Sequence, residues 1–315
     1  MNETKQELLL SHCISDNNNS IKKLISEYQA RIKKEGDKPD ATVEEQQHIL
    51  NQLKQFELGR YLLKNRGLNG YWTHYILTYP WREQKAKNSG TELPITKMES
   101  FILNQAPSIL ATQQRFRFFL KQNQLRVKSG AKLACIPSGM MGELLYLDYS
   151  DVDVINLYGI DYDQEALEAA KGLSEKKELF DYCSFIKADA FGIHYLREFD
   201  LISSNGLNIY ESSDERVMKL YQNFKYALKE AGTLVTSFLT HPPGSSEVCE
   251  WDFSKINLEH ARLQKIIFSD ILKVKWQCYQ SSDVTQQQLM DSGFIDIKIF
   301  YDDARMFPTV VATRQ

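Results

Sequence analysis

Four short stretches of this 315-residue chain carry residues able to hold a molecule with hydroxyl and amine groups. Each follows an apolar run of β type. The first is Pro137-Ser138-Gly139-Met140-Met141-Gly142-Glu143, whose two glycines let the backbone come close to a ligand. The second is Gly159-Ile160-Asp161-Tyr162-Asp163. Asp161 stands 22 residues beyond Gly139, close to the separation at which an acid accepts hydrogen bonds from a ribose. The third, Lys187-Ala188-Asp189-Ala190, offers a second acid suited to an adenine amine. The fourth, Ser203-Ser204-Asn205-Gly206-Leu207-Asn208-Ile209-Tyr210, is a polar loop suited to a reacting group. Taken singly, a glycine loop reads as a turn and an acid after a strand reads as a helix cap. The order of the four carries the meaning.

A second set lies nearer the N-terminus. Gly67-Leu68-Asn69-Gly70-Tyr71-Trp72-Thr73-His74-Tyr75 is dense in aromatics and bracketed by glycines. It reads as a helix start packed on a core, or as a lid in which Tyr71 or Trp72 encloses a cationic group and His74 acts as a base. Tyr79-Pro80-Trp81-Arg82 continues the same character. Tyr210 joins His74 as a catalytic candidate. His194 follows the third strand run and reads as surface or structural. His241-Pro242-Pro243-Gly244 follows the fifth and reads as a loop. In Gln113-Gln114-Arg115-Phe116, Gln114 and Arg115 are expected on a solvated helix face. The 256–276 segment, with Lys265, Lys273 and Lys275, reads as an amphipathic helix with a solvated basic face.

The elements that must position these residues fall into two textures. Residues 16–34 and 44–63 show apolar positions at helical spacing, with a break at Gly36-Asp37-Lys38-Pro39-Asp40, and a third helix is expected over 108–123. After Gly130, strand runs at Leu133–Ile136, Val154–Ile160, Ser184–Lys187, Leu201–Ser203 and Thr233–Leu239 alternate with helices. One helix runs from Asp163 to Lys171 with Asp163 as its cap. Another runs from Asp214 to Glu230, started by a capping box of Ser212 with Glu215 and ended by Gly232. This alternation means βαβ units and a parallel sheet. Phe294–Phe300, a turn at Asp302-Asp303-Ala304-Arg305, and Met306–Thr313 form a terminal antiparallel hairpin.

Composition narrows the function classes. The 38 Lys+Arg against 41 Asp+Glu give a net charge of −3, which argues against a dedicated nucleic-acid binder. Hydrophobic residues at 43% and charged residues at 25% exclude a wholly disordered chain. The polar N-terminus has only Leu8–Leu10 as an apolar run, too short for a signal-peptide core. No run reaches the ~18 apolar residues of a membrane span. Five scattered cysteines (Cys13, Cys135, Cys183, Cys249, Cys278) read as reduced thiols in a cytoplasmic setting. Six histidines without H-x-x-x-H spacing predict no metal site.

The ordered set of glycine loop, acid, acid, Asn loop, helix, strand, helix and hairpin resembles the class I (Rossmann-like) S-adenosylmethionine-dependent methyltransferases over roughly 132–314. The resemblance implies an α/β fold with a seven-stranded doubly wound sheet and a terminal antiparallel β-hairpin. It implies that Ile136, Pro137, Ser138 and Gly139 approach the methionine part of the cofactor. Asp161 would hold both ribose hydroxyls, and Tyr162 would flank the adenine. Asp189 and Ala190 would meet the adenine amine, and Asn205 and Gly206 would lie beside the transferred methyl. The sequence departs from the family loop in three places: Cys135 stands where an acid is expected, Pro137 replaces the first glycine, and Gly142 falls one position late. The Asp161-x-Asp163 pair also resembles a glycosyltransferase metal motif, which leaves the glycine loop and hairpin unexplained.

The expected organisation is a helical N-terminal cap over residues 1–128, including the Tyr71 lid, and a methyltransferase domain over 129–315. The expected activity is transfer of a methyl group from S-adenosylmethionine (EC 2.1.1.-) to a small molecule, leaving S-adenosylhomocysteine. No nucleic acid or membrane is expected as a partner. A homodimer through the helical region is the expected assembly. The alternatives are a non-catalytic binding or scaffold protein, a protein side-chain methyltransferase, and a dehydrogenase, the last lacking its G-x-G-x-x-G.

Overall fold

The computed structural model describes residues 18–89, 91, 93–274 and 278–315. The Leu8–Leu10 run, Cys13, the start of the first helix at Asp16, and Lys275 lie outside the described residues. In chain order the elements are α1 (Asn18–Glu35), α2 (Val43–Leu53), α3 (Glu57–Asn65), α4 (Gly70–Asn88), α5 (Lys97–Asn104) and α6 (Pro107–Gln124), then β1 (Ala131–Cys135), α7 (Gly142–Leu145), β2 (Ile155–Asp161), α8 (Gln164–Lys176) and β3 (Cys183–Lys187). They continue with β4 (Phe199–Ser204), α9 (Asp214–Ala227), β5 (Leu228–Ser237), α10 (Leu258–Lys265), a π-helical segment (Ile266–Ile271), α11 (Ser282–Asp291), β6 (Phe294–Phe300) and β7 (Thr309–Arg314). These form two compact units. One takes the chain through Leu68, then Thr78–Leu110 and Ile256–Lys275; the other takes Asn69–Leu77, Ala111–Lys255 and Trp276–Gln315. The units are therefore interleaved in sequence, whereas the composition suggested one division near residue 128.

In the helical unit, Leu50, Leu53, Leu58, Leu62 and Leu63 are almost fully buried. The single helix expected over 44–63 is two. Thr42 caps α2 by accepting from the Glu45 N–H at 3.1 Å, and the chain then turns sharply between Leu53 and Glu57. A Cβ at Gly59 would stand 2.0 Å from the Leu53 carbonyl oxygen, so only glycine permits α3 to fold back on the end of α2. The 256–276 segment is also corrected. It is α10 followed by a π-helical stretch, and its described cations are engaged. Lys265 pairs with Asp40, Lys273 with Glu35 at 2.5 Å, and Arg262 with Glu45 at 3.0 Å. Lys273 and Lys38 together pull the Glu35 carboxyl down to about 2.

The other unit is built on a seven-stranded sheet of order β3-β2-β1-β4-β5-β7-β6. The first five strands pair in parallel, and β7 runs antiparallel to both β5 and β6. Both faces are covered. Ala134, Ile136, Ile160 and Ile202 join one buried cluster with α9, while Leu133, Cys135, Leu157 and Leu201 join another with α8. This is the period-2 alternation of strands buried on both sides.

Two local expectations change. Helix α9 ends at Ala227, and its cap is Ser213, which accepts from the Arg216 N–H at 3.3 Å. Gly232 is not a helix end but lies within β5. A Cβ there would stand 2.8 Å from the Lys229 carbonyl oxygen and 3.1 Å from that of Phe199, beside the register shift between Phe199 and Leu201. The glycine allows an irregularity in the strand pairing.

Candidate functional site

The carboxyl ends of β1, β2 and β4 meet through main-chain bonds. The Ile136 N–H donates to the Ser203 carbonyl and the Ser138 N–H to that of Ile160, both at 2.9 Å. Ligands of parallel α/β sheets bind at this edge. Asp161 closes β2 and is 6% exposed. Its Oδ2 accepts from the Gly139 N–H at 2.9 Å and its Oδ1 from the Asp163 N–H at 3.0 Å. Each oxygen keeps a lone pair for a further donor. Burial raises this carboxyl above its ordinary value, against the lowering effect of the main-chain donors. Gly139 has φ of +46°, a conformation that favours glycine.

The start of α4 belongs to the same compact unit as this loop. A Cβ at Gly70 would stand 3.1 Å from the Gly139 Cα, so the two glycines bring two backbones together. The ring of Trp72 is buried between Tyr71 and Tyr75 in edge-on contacts at 5.1 and 5.3 Å. His74 Nε2 lies 3.1 Å from the Tyr146 hydroxyl. Within α4, Pro80 lacks the N–H that the Ile76 carbonyl would otherwise accept. The Gln113 side chain donates to that carbonyl instead, at 3.2 Å. The aromatic run therefore divides. Residues 69–77 join the sheet unit, while Tyr79 is 2% exposed in the helical unit and its hydroxyl accepts from Asn104 at 3.0 Å.

Sequence reasoning passed over Glu143. It lies in α7, is 7% exposed, and accepts from Asn205 Nδ2 through Oε1 at 2.6 Å. Its Oε2 accepts from the Cys135 thiol at 3.5 Å. Cys135 is fully buried, and that burial holds the thiol well above its ordinary value. Asn205 Oδ1 is buried and has no hydrogen-bond partner among the described residues. The only signal for Glu143 in the sequence was an acid inside the glycine loop.

Arg115 is the second residue misread. It is not on a solvated face but 5% exposed, stacked on the Phe307 ring at 4.8 Å, with burial lowering it to about 10. Its Nη1 would stand 3.5 Å from a Cβ at Gly206. Gln114 is half-buried and bonds to Asp303 at 2.8 Å. Tyr210 and Tyr162 are exposed, at 56% and 74%. Asp189 is exposed and caps a short turn by accepting from the Phe191 N–H at 3.0 Å, while Ala190 is buried in the core. His194 is exposed. Asp163 caps α8 as expected, accepting from the Glu165 N–H at 2.9 Å.

The comparisons agree with this frame. A family described as a methyltransferase domain matches residues 139–289, across the glycine loop, Asp161, Asp189 and Asn205. Residues 139–289 are thus a methyltransferase domain, and the strand order with its antiparallel β7 is that of the class I methyltransferase fold.

Among solved structures, a possible exported protein from Bordetella parapertussis is 36% identical, with 93% of this chain and 95% of that one covered and a TM-score of 0.85. Magnesium protoporphyrin IX methyltransferase from Synechocystis PCC 6803, solved with bound S-adenosylhomocysteine, is 12% identical over 77% of this chain and 98% of that one, with a TM-score of 0.49. The methyltransferase SibL in its apo form is 14% identical over 66% of this chain and 56% of that one, with a TM-score of 0.49. No curated protein matches the chain. Among the described residues, no helix is long and apolar enough to cross a membrane.

Against the methyltransferase pattern, the departure at Cys135 has a counterpart in space. The Glu143 carboxylate lies against the Cys135 sulfur, with Oε2 accepting from the thiol at 3.5 Å. The groups fit an S-adenosylmethionine molecule by their chemistry. Asp161 suits a ribose diol, Glu143 with the orphaned Asn205 oxygen suits an ammonium group, and the exposed Tyr162 ring suits a base.

Proposed function

We propose that the protein transfers the methyl group of S-adenosylmethionine to a small-molecule acceptor and works in the cytoplasm. The observation that carries this reading is Asp161. It is a buried carboxylate locked by the Gly139 N–H at the strand edge, with lone pairs left for two hydroxyls. In this reading Glu143 and Asn205 hold the amino-acid end, and Tyr162 and Asp189 the adenine. Gly139 lets the backbone approach the chain between them. When bound, the cofactor supplies an electrophilic methyl on sulfur.

The protein's part is alignment and exclusion of water. Tyr71 and Trp72, in the same compact unit as the glycine loop, are the aromatic wall for the cationic centre. Tyr210 is the proposed base for an acceptor hydroxyl or amine. His74 acts through its bond to Tyr146, which fixes the start of α4. In this reading the helical N-terminal residues act as a cap for the acceptor, and a homodimer forms through the helical region.

Calorimetric titration with S-adenosylmethionine and S-adenosylhomocysteine tests the reading. Micromolar binding that disappears in Asp161→Ala is expected. Absence of binding by the intact protein sinks the enzyme reading and leaves a scaffold. NAD binding instead points to a dehydrogenase. Tyr71→Ala should weaken cofactor binding or turnover in a folded protein, and unchanged values in both discard the aromatic wall.

A further inference from the structure

Arg115 is a buried cation that the family pattern does not use. A guanidinium has five N–H donors, yet the only hydrogen bond it makes among the described residues runs from Nη1 to the Ser237 hydroxyl at 3.5 Å. Its Nε is buried without a partner. Tyr210 and two carboxylates, Glu143 and Asp302, are within electrostatic reach, but neither carboxylate forms an ion pair with it. Glu143 is committed to Asn205 and Cys135. Asp302 accepts from the N–H groups of Ala304, Met306 and Phe307 at 3.1, 3.2 and 2.7 Å. Burying a charge this poorly paired is costly.

The position of the guanidinium shows what that cost serves. Ser237 ends β5, and Gly206 follows the end of β4 at φ of +82°. A Cβ at Gly206 would stand 3.5 and 3.9 Å from the two terminal nitrogens. The glycine keeps a side chain off the planar fork where the loop that carries Tyr210 passes its terminal nitrogens. We propose that Arg115 anchors a carboxylate carried by the methyl acceptor. Its fork matches a carboxylate in a bidentate pair. Glu143 and Asp302 already supply negative charge nearby, so a single-charged group fits this place better than a doubly charged phosphate. The word acceptor rests on the methyl-transfer reading; the anion site itself does not.

The test uses the full chain. S-adenosylhomocysteine is titrated first into wild type and Arg115→Gln. Benzoate with its neutral counterpart benzamide, and acetate with acetamide, are then titrated into the protein with and without S-adenosylhomocysteine. The expected result is at least a tenfold preference of wild type for one of the anions. That preference should be lost in Arg115→Gln, partly kept in Arg115→Lys, and accompanied by S-adenosylhomocysteine affinities within twofold of each other. Because the charge is poorly paired in the fold, the melting temperature of Arg115→Gln should equal or exceed that of wild type.

No anion preference in wild type overturns the proposal, as does a preference that survives in Arg115→Gln. A fall in melting temperature of about 5 °C or more assigns Arg115 to the fold instead. If S-adenosylhomocysteine does not bind wild type, the methyl-transfer reading fails and the anion preference still decides the site.

Discussion

Asp161 and Glu143 are both buried carboxylates at the edge of one sheet, and they are held in different ways. Asp161 is fixed by main-chain N–H groups, those of Gly139 and Asp163. Glu143 is fixed by side chains, the Asn205 amide and the Cys135 thiol. A backbone-held acid is tied to the register of its strand, so it stands at a set distance from the glycine loop. A side-chain-held acid needs only its tip in the right place. Its Cα need not lie in the strand, and here it lies in α7.

The sharpest way to break this contrast is to restore the acid at the end of β1. Cys135→Asp places a second carboxylate against Glu143 in a fully buried position, and should cost about 3 kcal/mol of stability. Denaturant titration checks it. Adding Glu143→Ala to that variant should recover most of the loss, because the like-charged neighbour is gone. Failure to recover would mean that the two positions do not share one site.

Removing the backbone-held acid comes next. Asp161→Ala should weaken S-adenosylhomocysteine binding by roughly 100-fold, since bonds to a charged group contribute about 1.5–3 kcal/mol. Calorimetry reads it, and an affinity unchanged from wild type removes Asp161 from the site. Glu143→Gln keeps the shape and loses the charge, and should weaken binding by about tenfold, roughly 1.4 kcal/mol. A larger loss than that of Asp161→Ala would reverse the ranking of the two acids.

Gly139→Ala forces a side chain into a left-handed conformation and should destabilise the fold by about 1 kcal/mol. No change in the denaturation midpoint would mean that the loop relaxes.

The smallest effect is on pH dependence. Burial raises the Asp161 carboxyl above its ordinary 3.8, so the fold favours the neutral form. Its contribution to stability is therefore present below that ordinary value and is lost as pH rises through the raised one. Ligand hydroxyls need the charged form, so cofactor affinity should fall on acidification with a midpoint above 3.8, and Asp161→Asn should abolish that midpoint. A binding profile identical in both proteins would place the titration elsewhere.

The strands were legible because their signal is local. Each run from β1 to β7 is apolar or alternating and bounded by polar turns, and Asp163 announces the start of α8. The errors fall where a long-range contact overrides a local pattern. The apolar stripe over 44–63 continues through a turn that only the close approach of Gly59 to Leu53 reveals. Gly232 looks like a helix end because a terminating glycine and a strand-bulge glycine read alike. Arg115 looks solvated because its helix carries polar neighbours, yet Phe307, 192 positions later, covers its face.

By itself, then, the chain's residue order determined the strands, the glycine loop and the acid at the end of β2, since these depend on period, spacing and neighbours a few positions away. Only the tertiary structure decided that the Glu143 carboxyl meets the Cys135 thiol, that the start of α4 joins the sheet unit, and that Arg115 is buried with its Nε unpartnered among the described residues. Those facts depend on where side-chain tips meet after folding, and burial then sets the cost of each charge.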